Sequence, residues 1–162
     1  YQAITVRSFN EMMRAAPIDF RSFVFVDLGS GKGRALMLAA GYPFQTIIGV
    51  EFSKLLHDIA VDNIARFRQV GKAPTNIELL CMDATAYKFP DNNVVLFLYN
   101  PFGGKTMKGI VDKLVDFLAH TSHKLIVIYR NPKCADLFDR QDALELLIAT
   151  PGYRNYAGRR YP

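Results

Sequence analysis

The stretch from Phe23 to Ala40 reads FVFVDLGSGKGRALMLAA, and it decides the fold. Its first part is an unbroken apolar run with β-branched and aromatic residues, which is typical of a strand buried on both faces of a parallel sheet. Its last part has the composition of a helix. Between them, glycines at alternate positions let the backbone turn sharply and come close to a ligand above the strand. We therefore interpret the stretch as a strand, a cofactor loop and a helix.

The spacing of the glycines indicates which cofactor the loop takes. A dinucleotide fingerprint requires Gly-x-Gly-x-x-Gly, whereas here the third glycine, Gly33, comes one residue early. An acidic residue, Asp27, also ends the predicted strand, and a carboxylate beside the loop suits a cationic ligand better than a pyrophosphate. The loop resembles the first motif of the class I S-adenosylmethionine-dependent methyltransferases, an acidic residue followed by Gly-x-Gly-x-Gly. The matching residues are Asp27, Gly29, Gly31 and Gly33.

The rest of the chain continues as an alternation of apolar runs and helical segments. The later predicted strands cover residues 46–50, 77–82, 93–99, 124–129, 143–150 and 153–161. Such an alternation predicts parallel βαβ units with right-handed crossovers. The Pro151-Gly152 turn predicts that the last two strands form an antiparallel hairpin. We therefore expect a single α/β domain over residues 1–162, with a doubly wound, mostly parallel seven-stranded sheet and helices on both faces.

Two shorter helices are predicted outside the central alternation. The first covers residues 5–16, where apolar residues recur at helical spacing until Pro17. We expect this N-terminal segment, residues 1–20, to cover the cofactor mouth. The second begins at Asn131, because an asparagine followed by a proline is a typical N-cap and first-turn pair. This interpretation gives Asn131 a structural role.

Polar residues come directly after four of the predicted strands, namely Asp27, Glu51, Asp83 and Asn100. Ligands of an open parallel sheet bind beyond the carboxyl ends of its strands, so these side chains are expected to meet at one site. Each acid alone has a structural alternative, in which it caps the helix that follows. The recurrence of the pattern at several strand ends favours a binding site.

The resemblance to the class I methyltransferases implies a role toward S-adenosylmethionine for each of these positions. Glu51 would accept hydrogen bonds from the ribose hydroxyls, and Asp83 would accept one from the adenine amine. Phe52 and Met82 would flank the adenine ring, while Asp27 and the glycine loop would hold the methionine end. The implied cofactor-binding set is Asp27, Gly29, Ser30, Gly31, Gly33, Glu51, Phe52, Met82, Asp83, Ala84 and Asn100.

The Asn100-Pro101-Phe102 turn resembles the Asn/Asp-Pro-Pro-aromatic motif of amino-methylating members of the class. In that motif a side-chain amide and a backbone carbonyl accept hydrogen bonds from the target NH2, and the aromatic ring stacks on a planar substrate. The resemblance implies that Asn100, Pro101 and Phe102 are the catalytic residues. This sequence has one proline fewer, and a tight turn ahead of Gly103-Gly104 is the structural alternative.

Other site motifs fail on spacing or on partners. Gly104-Lys105-Thr106 resembles the end of a phosphate-binding loop, but Tyr99 occupies the position of the required earlier glycine. His120 and His123 lie near the end of a predicted helix without a complete ligand set, so we expect no metal. The glycine spacing and the closing hairpin also argue against a nicotinamide oxidoreductase.

The composition is that of an ordinary globular domain, with 50% hydrophobic and 22% charged residues. The apolar runs are too short for a membrane span and the amino end lacks the pattern of a signal peptide. We therefore expect a cytoplasmic protein with no membrane partner. Cys81 and Cys134 are too few for a disulfide framework or a zinc site, and both are expected to be free thiols. The net charge of +5 favours an anionic partner.

The sequence thus predicts methyl transfer from S-adenosylmethionine to an amine nitrogen of a macromolecule, either a protein or a nucleic acid. The predicted loops after the fourth and fifth strands are short, which favours an acceptor whose own surface closes the site. Two alternatives stay open. One is a methyltransferase of a small molecule with a lid that is missing from this chain, and the other is a non-catalytic protein that binds S-adenosylmethionine. An aminopropyl transferase would keep the same loop.

Overall fold

The computed structural model describes residues 3–71 and 76–159. Its strands are β1 (Val24–Leu28), β2 (Ile47–Glu51), β3 (Ile77–Cys81), β4 (Val94–Tyr99), β5 (Leu125–Arg130), β6 (Leu144–Ala149) and β7 (Tyr153–Gly158). Its helices are α1 (Val6–Arg14), α2 (Arg34–Ala39), α3 (Lys54–Gln69), α4 (Gly104–His120) and α5 (Ala135–Asp139). Two short 3-10 turns cover Phe20–Ser22 and Ala84–Ala86.

The strands form one seven-stranded sheet in the order β3-β2-β1-β4-β5-β7-β6. The neighbours from β3 to β5 pair in parallel, and β7 lies antiparallel between β5 and β6. The predicted α/β fold with its C-terminal antiparallel hairpin is therefore confirmed. The order of the strands reverses at β1 and β4, so a crevice is expected above the carboxyl ends of these two strands. The last residues of the predicted final strand, 160 and 161, lie outside the described residues.

Helices cover both faces of the sheet, as predicted. On one face α4 and α5 bury residues such as Leu114 and Phe138 against the apolar side chains of β4 and β5. On the other face α1, α2 and α3 bury residues such as Phe9, Leu36 and Ile64. Burial of one such side chain contributes about 1.5 to 3 kcal/mol, so the two apolar layers hold the sheet rigid beneath the crevice.

Helix α1 packs against the sheet beside α2. Thr5 is its N-cap, and the Thr5 hydroxyl accepts a hydrogen bond of 3.1 Å from the backbone N–H of Ser8. The ring of Phe9 lies 6.0 Å from that of Phe25 and 5.6 Å from that of Phe97, measured between centroids. The predicted N-terminal helix is thus present, and its apolar side faces the sheet.

The segment after β5 differs from its prediction. Helix α5 has Cys134 as its N-cap residue, and Asn131 lies outside the helix with a φ of 50°. The N-cap prediction for Asn131 is therefore wrong. The physical reason is a long-range contact, because the Asn131 N–H donates to the carbonyl of Gly152 at 2.9 Å. This bond holds the chain against the β6–β7 turn, so the helix begins later in the sequence than predicted.

The described ranges, residues 3–71 and 76–159, contain no helix that is both long and apolar enough to cross a membrane. The cytoplasmic location inferred from the sequence stays a prediction.

Candidate cofactor and acceptor site

A cleft of about 590 Å³ opens at the carboxyl ends of β1, β2, β4 and β5. This volume lies within the usual range of small-molecule sites, roughly 300 to 1,000 Å³. Most of the site residues expected from the sequence line this cleft. They are Asp27, Gly29, Ser30, Gly31, Glu51, Phe52, Ala84, Asn100, Pro101 and Phe102.

The glycine loop packs directly against the turn that follows β4. Its start is fixed to β2, because the N–H groups of Gly29 and Ser30 donate to the Val50 carbonyl at 2.8 and 3.0 Å. Gly29 has a φ of 82°, and a Cβ atom at this position would lie 2.5 Å from Cβ of Pro101. Only glycine satisfies both the backbone angle and the close approach. The loop and the Asn100-Pro101-Phe102 turn therefore form adjoining walls of one cleft.

Glu51 is held in place by the backbone on both sides of its carboxylate. Its Oε2 atom accepts a hydrogen bond of 2.8 Å from Gly31 N–H, and its Oε1 atom accepts one of 2.8 Å from Ser53 N–H. Each carboxylate oxygen has a further lone pair. Glu51 is therefore a pre-oriented acceptor of two more hydrogen bonds at the edge of the cleft.

Asp27 is a nearly fully buried carboxylate in the wall of the cleft, with 4% of its surface exposed. Burial, together with the nearby charge of Glu51, raises the pKa of Asp27 to about 8. A cation bound in the cleft would favour the ionised form. The site thus fits a ligand with positive charge near the glycine loop.

The turn after β4 is strained and tied to β5. Asn100 has a φ of 42°, which is uncommon for a residue with a side chain. The Tyr129 hydroxyl lies 3.5 Å from Oδ1 of Asn100, and it also accepts a hydrogen bond of 3.2 Å from Cys134 N–H. Since Cys134 N–H uses the oxygen of Tyr129 as an acceptor, the hydroxyl proton points to Asn100. Tyr129 thereby links the turn after β4 to the loop after β5.

Three of the expected cofactor residues do not line the cleft. Asp83 caps the 3-10 turn Ala84–Ala86, because its Oδ1 atom accepts hydrogen bonds from Thr85 N–H and from the Thr85 hydroxyl, both at 2.7 Å. These bonds, the side-chain one first, lower the pKa of Asp83. Met82 is partly buried and packs against the apolar core, and Gly33 is the N-cap residue of α2. The predicted adenine contacts of Met82 and Asp83 stay predictions.

Several residues in the cleft wall did not emerge from the sequence. Ile4 and Arg34 form one corner, where Arg34 Nε donates to the Ile4 carbonyl at 2.6 Å. Asn131 and Lys133 line the opposite side, in the loop after β5. One signal for Asn131 was available, because it follows β5 directly, just as Asn100 follows β4.

Within residues 3–71 and 76–159, no three His, Cys, Asp or Glu side chains are placed to hold a metal ion.

Comparison with protein families gives one relevant match. The model of a family described as "Putative methyltransferase" matches residues 21–100, just under half of the chain. The matched segment contains the glycine loop, Glu51 and the residue that begins the turn after β4. Comparison with curated proteins gives no significant match.

Solved structures with the same fold include methyltransferases that act on different substrates. An RNA methyltransferase from Salinibacter ruber, in complex with S-adenosylhomocysteine, is 17% identical with a TM-score of 0.60, over 99% of this chain and 97% of that chain. A precorrin-6y C5,15-methyltransferase from Geobacter metallireducens is 12% identical with a TM-score of 0.64, over 96% and 88% of the chains. The 23S rRNA methyltransferase ErmE is 14% identical with a TM-score of 0.67, over 99% and 70%. These similarities establish the fold.

The fold is that of the class I, Rossmann-like S-adenosylmethionine-dependent methyltransferases, and the glycine loop and the family match over residues 21–100 support this assignment. The same findings support S-adenosylmethionine as the cofactor.

Proposed function

We propose that the protein transfers a methyl group from S-adenosylmethionine to an amine nitrogen of a macromolecule. The observation that carries the proposal is the contact between the two walls of the cleft. Gly29 of the cofactor loop lies so close to Pro101 that a Cβ atom would not fit between them. A cofactor bound over the loop would therefore present its reactive end to the Asn100-Pro101-Phe102 turn.

The cofactor pose follows from the charges and acceptors of the cleft. Glu51 would accept hydrogen bonds from the two ribose hydroxyls with the lone pairs that its backbone donors leave free. Phe52, whose side chain is 75% exposed, would cover one face of the adenine ring. Asp27, together with the loop from Gly29 to Gly33, would bind the positively charged methionine end. In this pose the ammonium group of the methionine end would be the cationic partner of the buried Asp27 carboxylate.

In the transfer reaction the main role of the protein is to align the acceptor nitrogen with the methyl group. When bound, S-adenosylmethionine supplies a methyl group on a positively charged sulfur, which keeps the electron pair when the carbon–sulfur bond breaks. The lone pair of the acceptor nitrogen forms the new carbon–nitrogen bond, and the nitrogen then loses one proton to water. Asn100 would accept a hydrogen bond from the acceptor NH2 and aim its lone pair at the methyl group. Phe102 and Tyr99 would exclude water from the reacting atoms.

The shape of the acceptor side supports a large substrate. Residues 100–103 connect β4 to α4, and residues 131–134 connect β5 to α5. Connections this short leave the cleft open above them in the described part of the chain. Two of the structural neighbours, the Salinibacter ruber enzyme and ErmE, are named as RNA methyltransferases, which also supports a macromolecular acceptor.

The proposal is tested by following a labelled methyl group into a cell extract. The protein is incubated with the extract and S-adenosylmethionine labelled in the methyl group, and the products are treated with nuclease or protease and then filtered. We expect label in the retained fraction, and its release by one of the two treatments. A Gly29→Ala variant gives the background, because its added methyl group would collide with Pro101. Label found only in small molecules other than S-adenosylmethionine would overturn the macromolecular acceptor.

A further inference from the structure

Two asparagines occupy matching positions at the ends of neighbouring strands. Tyr99 of β4 and Arg130 of β5 are partners in the parallel ladder, so Asn100 and Asn131 are each the first residue beyond it. Both have positive φ angles, 42° and 50°, and they are the non-glycine residues with this property in the described part of the chain. Both also line the cleft. Backbone strain that recurs at adjacent positions in one cleft suggests a functional requirement.

The backbone around Asn131 is fixed by contacts from a distant part of the chain. Its N–H donates to the Gly152 carbonyl at 2.9 Å, and Nη1 of Arg130 donates to the same carbonyl at 2.6 Å. The Asn131 carbonyl accepts a hydrogen bond of 2.9 Å from the N–H of Lys133. The loop after β5 is therefore held in one shape, with Asn131 and Lys133 both at the cleft wall.

The two halves of the cleft differ in charge. Among its described wall residues, the carboxylates are Asp27 and Glu51, which belong to β1 and β2. Arg34 lies on the same side, with its Nε bonded to the Ile4 carbonyl. The half formed by β4, β5 and their loops offers amides, aromatic rings and the ammonium group of Lys133. A lysine acceptor is a cation at neutral pH and needs a carboxylate to attract it or a base to neutralise it. A nucleobase amine is already neutral, and the phosphates beside it are negative.

From these observations we propose that Asn131 and Lys133 form an acceptor subsite beside Asn100, which binds a nucleobase amine and its flanking phosphate in a single-stranded nucleic acid. The inference rests on the proposed function and specifies its substrate class. Asn131 would pair with the base edge next to the amine, and Lys133 would contact the phosphate. Phe102 and Tyr99 would stack on the base. A single strand is required because a base inside a duplex does not reach an enclosed methyl donor.

The first test measures binding without catalysis. Fluorescein-labelled single-stranded RNA and DNA of random sequence, 20 nucleotides long, are titrated with the protein in the presence of S-adenosylhomocysteine. We expect Lys133→Ala to weaken binding about fivefold and to reduce the salt dependence by about one phosphate contact. Lys124→Ala is the matched control, because Lys124 is an exposed lysine at the opposite end of β5. Equal effects of the two variants would overturn the phosphate contact.

The second test measures methyl transfer with Asn131→Gly. Glycine removes the amide and tolerates the positive φ angle, so the loop keeps its shape. We expect transfer to nucleic acid to fall about tenfold, which is the size of one lost base-edge pairing, with an unchanged affinity for S-adenosylhomocysteine. The melting temperature of the variant serves as the control for folding.

The outcomes separate this inference from the proposed function. Label in a nucleic acid that falls with Asn131→Gly and Lys133→Ala, but not with Lys124→Ala, supports both. Label in protein overturns the subsite but not the proposed function. Label in nucleic acid that neither variant reduces has the same meaning. If the protein binds S-adenosylhomocysteine but no polymer takes up label, both are overturned.

Discussion

The two halves of the cleft are built by different means. In the half at β1 and β2, backbone N–H groups fix the side chain of Glu51 and the glycine loop. Glu51 lies in this wall with the buried Asp27, whose ionised form a bound cation would favour. In the half at β4 and β5, strained asparagines and aromatic residues supply neutral acceptors and flat surfaces. The first half suits a small cationic ligand such as the cofactor. The second would take the planar acceptor that we propose.

The largest effect is expected where the two halves touch. Gly29→Ala places a Cβ atom 2.5 Å from Pro101 Cβ at a φ of 82°, so the loop, the turn or both must move. We expect S-adenosylhomocysteine affinity to fall by more than about 100-fold and stability to fall by about 1 to 3 kcal/mol. Calorimetric titration and thermal unfolding measure the two losses.

Gly104→Ala is the control for this prediction, because a Cβ atom there would meet nothing within 4 Å. Similar losses in the two variants would show that the contact between Gly29 and Pro101 is not what holds the cleft together.

A smaller effect on cofactor affinity distinguishes Glu51 from Asp83, which are both predicted from the sequence to accept hydrogen bonds from the cofactor. We expect Glu51→Ala to weaken S-adenosylhomocysteine binding by about 1 to 3 kcal/mol, because it removes the acceptor of buried ligand donors. Asp83→Ala should cost less than about 1 kcal/mol of binding, since the Asp83 carboxylate is engaged by Thr85 and does not line the cleft. Calorimetry compares the variants directly, and a larger loss in Asp83→Ala would reverse the assignment.

The third effect concerns the pH dependence of stability. Because burial raises the pKa of Asp27 from 3.8 to about 8, the ligand-free folded protein binds this proton more tightly than the unfolded chain does. The resulting stability is complete below pH 3.8 and is lost as the pH rises toward 8, by at most about 1.4 kcal/mol per pH unit.

Asp27→Asn removes this titration and keeps the shape of the side chain. Unfolding by urea between pH 5 and pH 8 should therefore show a falling stability for the wild type and a flatter profile for the variant. Parallel profiles for the two proteins would contradict the raised pKa of the buried Asp27.

The sequence predicts the first half of the cleft better than the second, for a physical reason. The glycine loop and Glu51 belong to local patterns, in which spacing and strand ends determine where a side chain lies. Asp83 is a short side chain that bonds to its own neighbour Thr85, and such local bonds compete with ligand binding at any acidic loop residue. The N-cap prediction for Asn131 failed because the conformation of this residue depends on a contact with Gly152, which no local pattern contains.

The most direct test of this division of the cleft compares Glu51→Ala with Asn100→Gly in the same assays. Glycine at position 100 tolerates the observed φ of 42°, so the turn keeps its shape without the amide. Both proteins are measured for S-adenosylhomocysteine affinity by calorimetry and for the initial rate of methyl transfer to the labelled acceptor fraction. We predict that Glu51→Ala loses affinity, while Asn100→Gly keeps its affinity within about twofold and loses about 100-fold in rate. Equal losses of affinity and rate in Asn100→Gly would contradict a separate acceptor half.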